Sequence, residues 1–292
     1  MAEGKKDYLI FKTSEELNNF LKRKTEPTVK DKIEYCVMER FSGSKILFTA
    51  EHAMQKVINT TDDGVKGHIN IGDKNTDLLA KLGAFYLRSA YVFPTFVRTS
   101  ADASRPPEEL GKGLRLFTRI FTKTSAKTTF IPIHQDVTYL PYLLKYHELI
   151  EQLNPHAIIS VHGMNEKREF DVLFGFGEDY EAIGDRKEAF RFKNAFAVFM
   201  DKVFAETGTK HKIKIALSTK LLTGSKNYVL TKHVIEHNRK AGGARNKRFG
   251  VQVEFNWKGR VKAGDISRPT IPYQIIVQAL GDFVYKWITS EK

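Results

Sequence analysis

The stretch KILFTAEHAMQ (residues 45–55) is an apolar run that stops at His52, and HAIISVHGMN (residues 156–165) repeats the pattern at His162. In both, the histidine is followed by a small residue and then by Met. A short continuous apolar run of about four to eight residues is the pattern of a strand buried on both faces. Such strands need a sheet covered by helices. The rest of the chain supplies that setting. NTDLLAKLGAFYLRSA places Leu78, Leu79, Leu82, Phe85 and Tyr86 at helical spacing, with Asn75 or Thr76 as the cap. LPYLLKYHELIEQL, KEAFRFKNAFAVFMDKVF and PYQIIVQALGDFVYKWI also read as helices, the second presenting Phe192, Phe196, Phe199 and Val203 on one face. YVFPTFV, FDVLFGF, KIKIAL and GVQVEFN read as strands, with Pro94 suggesting an edge or a bulge in the first.

Strands alternating with helices predict an α/β fold: a three-layer, mostly parallel or mixed central sheet with helices on both faces. The predicted division is a helical N-terminal extension over residues 1–40, starting at Ser14 with Glu15 and Glu16, and a single α/β domain over 41–292. In open sheets of this kind ligands bind beyond the carboxyl ends of the strands. His52 and His162 stand at such ends, which makes them the first candidates for metal ligands.

A hydrolytic metal site needs three protein ligands and an open position for water; His52 and His162 supply two, and the third should be an acid or another His on a nearby loop. Glu51 adjoins His52, but from an extended segment its side chain points the opposite way. Asp73, in the loop NIGDKNTDLLA, is better placed as the third ligand, and Asp77 reads as first-turn charge on the helix that follows. In FGVQVEFNW the alternation puts Gln252 and Glu254 together on one strand face, and Glu254 is the candidate base. An exposed strand face would give the same alternation. The loop FVRTSADASRP holds Arg98, Asp102 and Arg105 as candidate substrate contacts. Arg98 and Asp102 could instead pair to brace the loop, whereas Arg105 offers a planar fork matched to a carboxylate.

Taken in order, these pieces resemble the N-formylglutamate amidohydrolase family, whose fold is related to the zinc carboxypeptidases. The matching parts are His52, DKNTDLLA from Asp73, RTSADASRP from Arg98, Tyr146-His147, ISVHGM around His162 and VQVEF around Glu254. The resemblance implies a zinc-dependent hydrolase that cleaves an amide in an acidic amino-acid derivative. It implies His52, His162 and Asp73 as ligands, Glu254 as base, Arg105 as the carboxylate clamp and Arg98 as a second cation near the carbonyl. The chain departs from the family at EHAM, at Gln55, where the carboxypeptidases have the Glu of His-x-x-Glu, and at Ser104, where the family has Asn.

Other readings stand beside this one. HVIEH (His233 to His237) matches the H-x-x-E-H string of an inverted zinc-protease helix. The charge of +13, from 47 Lys and Arg against 34 Asp and Glu, favours anionic partners. With the loop RKAGGARNKR it raises a nucleic-acid-associated protein, or a hydrolase of RNA-linked amino acids, as an alternative, although the basic residues are scattered and no nucleic-acid module is recognisable. A non-catalytic family member is a third. The single cysteine, Cys36, excludes an internal disulfide and fits a reducing, cytoplasmic setting. No signal peptide is predicted, and no apolar run approaches the roughly 18 residues of a membrane helix. No glycine-rich phosphate loop occurs, so no organic cofactor is expected.

Overall fold

The computed structural model describes residues 7–22, 29–33, 36–40, 45–54, 56–62, 65–98, 100–111, 113–121, 126–164, 168–218, 222–241 and 246–290. Its strands are β1 (Val29–Ile33), β2 (Cys36–Arg40), β3 (Ile46–Thr49), β4 (Lys56–Asp62), β5 (Val65–Ile71) and β6 (Ala90–Pro94). They continue with β7 (Gly113–Phe121), β8 (Ala126–His134), β9 (Ala157–Met164), β10 (Val172–Gly175), β11 (Ile215–Leu217) and β12 (Phe249–Asn256). Eight of them form the main sheet, in the order β1-β2-β6-β3-β9-β12-β10-β11. The central four, β6, β3, β9 and β12, run parallel, while β2 and β10 flank them antiparallel. The three strands that carry the candidate residues are therefore neighbours. Since β3, β9 and β12 point the same way, their carboxyl ends open on one rim.

Burial explains why these segments are strands in the middle of the sheet. All four residues of β3 and all eight of β12 are buried, polar Gln252, Glu254 and Asn256 included. The helices are α1 (Ser14–Lys22), α2 (Thr76–Leu87), α3 (Leu140–Leu153), α4 (Arg186–Thr207), α5 (Tyr228–Leu230), α6 (His237–Lys240), α7 (Trp257–Arg260) and α8 (Ile271–Ser290), with a π turn at Thr231–Glu236 joining α5 to α6. Helix α2 packs against α8 and against β3, β6 and β9, and α8 also meets α4. Helix α3 packs on β2 and β6, and α5 packs on β9 and β12. An aromatic cluster locks α4 and α8 to β10, with Phe174 5.5 Å from Phe192, and Phe192 5.1 Å from Phe283, between ring centroids. Edge-on packing at this spacing suits the opposite polarity of ring face and rim.

The predicted three-layer α/β architecture is what the chain adopts, but three details differ. Among the described residues of the lead-in, helix is limited to Ser14–Lys22, and Val29–Ile33 and Cys36–Arg40 pair with each other and extend the main sheet. Residue 40 therefore does not divide a helical extension from the sheet. Pro94 ends an interior strand, since β6 lies between β2 and β3. Two hairpins that hydrophobic periodicity does not reveal, β4-β5 and β7-β8, form a separate four-stranded antiparallel sheet. The first is inserted between His52 and Asp73, the second between the Arg105 loop and α3. Both leave the main fold at the rim where the strands end.

Ahead of α1 the chain is pinned by two glutamines one turn apart on α8. The Leu9 N–H donates to Gln278 Oε1 (2.8 Å) and Gln278 Nε2 donates to the Leu9 carbonyl (2.8 Å). Gln274 holds Phe11 in the same way, at 2.8 Å and 3.0 Å. Both glutamines are fully buried, so each amide substitutes for a strand partner that this segment does not have. Replacing Gln278 with Leu leaves the Leu9 N–H and carbonyl unpaired, and the expected loss is about 2–4 kcal/mol in urea denaturation. A loss below about 0.5 kcal/mol would mean that the clamp does not hold the segment.

Candidate metal centre

His52 and His162 meet where β3 and β9 end. Their rings lie 4.8 Å apart in a T-shaped arrangement at 81°. Asp73, carried back to the same point after the β4-β5 hairpin, faces both. Its Oδ2 is 3.5 Å from His52 Nδ1 and 3.6 Å from His162 Nδ1. The loop that delivers it is tied down twice, by the Asp73 N–H on the His52 carbonyl (2.6 Å) and by the Gly163 N–H on Asp73 Oδ2 (3.0 Å). Gly72 precedes it at a φ of +109°, where a Cβ would lie 2.2 Å from the Met54 carbonyl oxygen, so only glycine fits.

The other nitrogen of each imidazole meets a buried carboxylate. His52 Nε2 lies 2.9 Å from Asp102 Oδ1, and His162 Nε2 lies 3.0 Å from Glu51 Oε2. A carboxylate only accepts, so Nε2 carries the hydrogen in both rings. The Nδ1 lone pairs then point at an anionic oxygen. Such an arrangement is repulsive unless a proton or a cation lies between. Burial opposes charge on His162, yet Glu51 and Asp73 outweigh it and raise its pKa well above the ordinary value. Burial likewise works against ionised Asp73, but hydrogen bonds from His162 and His52, with the charges of His52 and Arg260, hold it well below the usual carboxylate range.

This donor set fits a divalent metal. Two nitrogens and one carboxylate oxygen lie within 4.8 Å of one another, and this is the one such group among the described residues. Donors about 2.0–2.1 Å from a tetrahedral zinc stand roughly 3.3 Å apart, close to the observed nitrogen-to-oxygen spacings. The carboxylates behind the imidazoles are the usual means of fixing ring orientation and tautomer around a metal.

Gln252 and Glu254 share a face of β12, as the alternation predicts, and Glu254 pairs in register with His162 of β9. That face is buried rather than exposed, and Gln252 Nε2 donates to Glu254 Oε1 (2.7 Å). Burial raises the Glu254 pKa; His162 opposes the rise and Asp73 adds to it. Asp102, expected among the substrate contacts, has a different place. It is fully buried, and its oxygens are taken by His52, by the Ser104 N–H (3.0 Å) and hydroxyl (2.6 Å), and by Arg98 Nε (2.8 Å). It has no surface left for a ligand and lies against His52. Arg98 thus forms the bracing pair as well as facing the centre, where Asp73 and Glu254 act on its charge. Arg105 also faces Asp102, its buried Nε 4.0 Å from Oδ2 and beyond hydrogen-bond range.

Sequence reasoning overlooked several groups. Glu51 does point away from the Nδ1 atoms, but it reaches His162 and accepts from Thr49 Oγ1 (2.7 Å) and Ser160 Oγ (3.0 Å). The alternation Thr49-Ala50-Glu51 and Ser160-Val161-His162 at the ends of two neighbouring strands is the signal that could have found it. Asn227 gave no signal; its Nδ2 joins Ser160 Oγ (2.8 Å) to Gln252 Oε1 (3.0 Å). Position 55 and residues 242–245 of the basic loop lie outside the described residues.

No family model matches the chain, and no curated protein does. Among solved structures, a gene product from Agrobacterium tumefaciens superposes with a TM-score of 0.50 at 11% identity, over 88% of this chain and 94% of that one. An N-formylglutamate amidohydrolase from Ralstonia eutropha JMP134 gives 0.49 at 13% identity, over 87% of this chain and 100% of that one. A metallo-carboxypeptidase from Burkholderia cenocepacia gives 0.47 at 10% identity, over 94% of this chain and 68% of that one. The likeness to the Agrobacterium protein is one of fold.

The HVIEH histidines do not join the centre. His233 Nε2 lies 3.0 Å from His147 Nδ1, and its Nδ1 lies 2.6 Å from Glu151 Oε1, while His237 Nε2 reaches the Asn246 carbonyl (3.1 Å). The two rings therefore serve different partners. Nor does His147, part of the Tyr-His match, stand among the donors. Burial, helped by the charge of His233, pushes its pKa down to about 3. A histidine kept neutral by folding stabilises fully above its unfolded pKa of about 6.5, and that stability is lost as pH falls toward the folded value. The hydrogen bond from His233 draws Glu151 down to about 2 against the opposing effect of burial, so its own contribution fades only below about pH 4.5. Between about pH 7 and about pH 5, urea denaturation should show a His147-dependent loss of about 2 kcal/mol. The loss should be missing in His147→Leu; an equal loss in the variant would refute the assignment.

Proposed function

We propose that this chain is a metal-dependent hydrolase, with zinc as its metal, that cleaves the amide bond of an acidic acylated amino acid or small peptide. One observation carries the reading: His52 Nδ1, His162 Nδ1 and Asp73 Oδ2 converge, with a buried carboxylate behind each imidazole. The order of these residues along the chain, which resembles the N-formylglutamate amidohydrolases, supports it. A zinc ion held by the three would polarise the scissile carbonyl and lower the pKa of a water toward ~7.

The other roles belong to side chains around that point. Glu254, on the strand beside His162, takes the proton from the water and returns it to the leaving amine. Gln252 holds the carboxylate in place through Nε2, and burial, which favours its protonated form, suits it to the second half of that transfer. Arg105, whose side chain is 26% exposed while its Nε faces Asp102 Oδ2 at 4.0 Å, offers its guanidinium to the substrate carboxylate and fixes the amide over the centre. Arg98 is braced through Nε on Asp102 and turns its charge toward the oxyanion that develops on the carbonyl. Asp102 and Glu51 keep the two imidazoles turned with Nδ1 inward.

Metal analysis after zinc loading should find about one ion per wild-type chain and His233→Ala chain, and little in His52→Ala or His162→Ala. Stoichiometric metal in both of the latter variants would sink the assignment. With N-acylated aspartate and glutamate as substrates, Glu254→Gln should keep its metal while kcat falls by about 10²–10⁴. An unchanged kcat would remove Glu254 as the base.

A further inference from the structure

One buried arginine touches three of the segments that carry the site. Arg260 closes α7 and is 3% exposed. Its Nε donates to the Phe255 carbonyl (3.0 Å), one terminal nitrogen to the Lys74 carbonyl (2.6 Å), and the other to the Met164 carbonyl (3.4 Å). Phe255 follows Glu254, Lys74 follows Asp73, and Met164 lies two residues beyond His162. A single planar group thus bonds the chain just past the candidate base and just past two of the three metal donors.

The surroundings are shaped for this group. Gly163 lies against the guanidinium, where a Cβ would come within 2.2 Å of Arg260 Cζ. The Gly163 N–H at that same point donates to Asp73 Oδ2. Asn75, two residues beyond Asp73, donates back to the Arg260 carbonyl (2.7 Å) from a left-handed backbone with φ of +62°. The Trp257 ring covers the guanidinium at 5.4 Å. No carboxylate is an ion-pair partner of Arg260 among the described residues; the charges acting on it are those of Asp73 and Glu254. A buried cation costs several kcal/mol unless carbonyl dipoles and nearby anions offset it. Here the offsetting anions are the site's own.

From this geometry we infer that Arg260 is a positioning residue of the metal centre: it sets the spacing of Asp73, His162 and Glu254 by clamping the backbone behind each. The inference rests on the metal-site reading above. Lysine keeps the charge but offers no fork that reaches three carbonyls at once.

Cobalt(II) binding, followed by its visible absorption and by competition with zinc, tests this in wild type, Arg260→Lys and Arg268→Lys. Arg268 is equally buried but bonds Asp265, Phe11 and Pro269, none of them next to a donor in the chain, so it reports the cost of altering any buried arginine. Arg260→Lys should bind metal about 10–100-fold more weakly, the range for losing a group that orients ligands. Its cobalt spectrum should change and kcat should fall more than KM rises. Arg268→Lys should melt at a lower temperature with wild-type metal affinity. Should Arg260→Lys not fold, Gly163→Ala carries the same test, because it retains the arginine and displaces its guanidinium. Wild-type affinity and spectrum in a folded Arg260→Lys or Gly163→Ala would overturn the role of Arg260 alone. Absence of metal binding by the wild type would overturn this inference together with the hydrolase reading.

Discussion

Everything at the rim follows from burying charge. Glu51, Asp102 and Glu254 are each less than 4% exposed, and Asp73 is largely covered. An uncompensated buried carboxylate is too costly for a protein of ordinary stability to retain. Each acid must therefore find a cation or a set of donors, and the two imidazoles are where several of those requirements meet. Asp102 is satisfied by His52, Arg98 and Ser104, and Glu51 by His162, Thr49 and Ser160. Once each ring has spent Nε2 on a carboxylate, Nδ1 has only one direction left, toward Asp73.

The sheet order makes that meeting possible. Parallel neighbours β3, β9 and β12 deliver Glu51-His52, His162 and Glu254 to one edge. Ser160, His162, Gln252 and Glu254 then fall on one face by the period of two. Chain connectivity adds Asp73, because the β4-β5 hairpin leaves after His52 and returns before Asp73 without disturbing the main sheet. The second hairpin leaves after the Arg105 loop and returns before α3. Both insertions leave the strands beneath in register. The glutamine clamp on the N-terminal segment solves a related problem, its side-chain amides satisfying backbone groups that no strand covers.

Some of the site was legible because it depends on local pattern. An apolar run that stops at a histidine marks a strand end, and two such runs mark two strand ends. Alternation placed Gln252 beside Glu254. Where the pattern misled, a partner distant in sequence decided the outcome. Asp102 and Arg98 share a loop with Arg105 and look alike as substrate contacts, yet a fully buried position beside His52 gives Asp102 another task. HVIEH has the composition of a metal helix, but His147 and Glu151 of α3 claim His233 first. In the lead-in over residues 1–40, the short strands β1 and β2 carry no strand signal of their own; β2 pairs with β6 and β1 pairs with β2.

By itself the sequence determined the central strands and the helices that cover them, and which residues stand at those strand ends, because both depend on periodicities of two and 3.6 within a few residues. Tertiary structure alone decided which of those ends are neighbours, which nitrogen of each imidazole faces inward, and which buried charges answer one another. Those are matters of distance between groups far apart in the chain, such as Arg260 and the Lys74 carbonyl, 186 residues away. Local spacing holds no record of them, since chain topology brings such groups together and the low-dielectric interior then enforces their pairing.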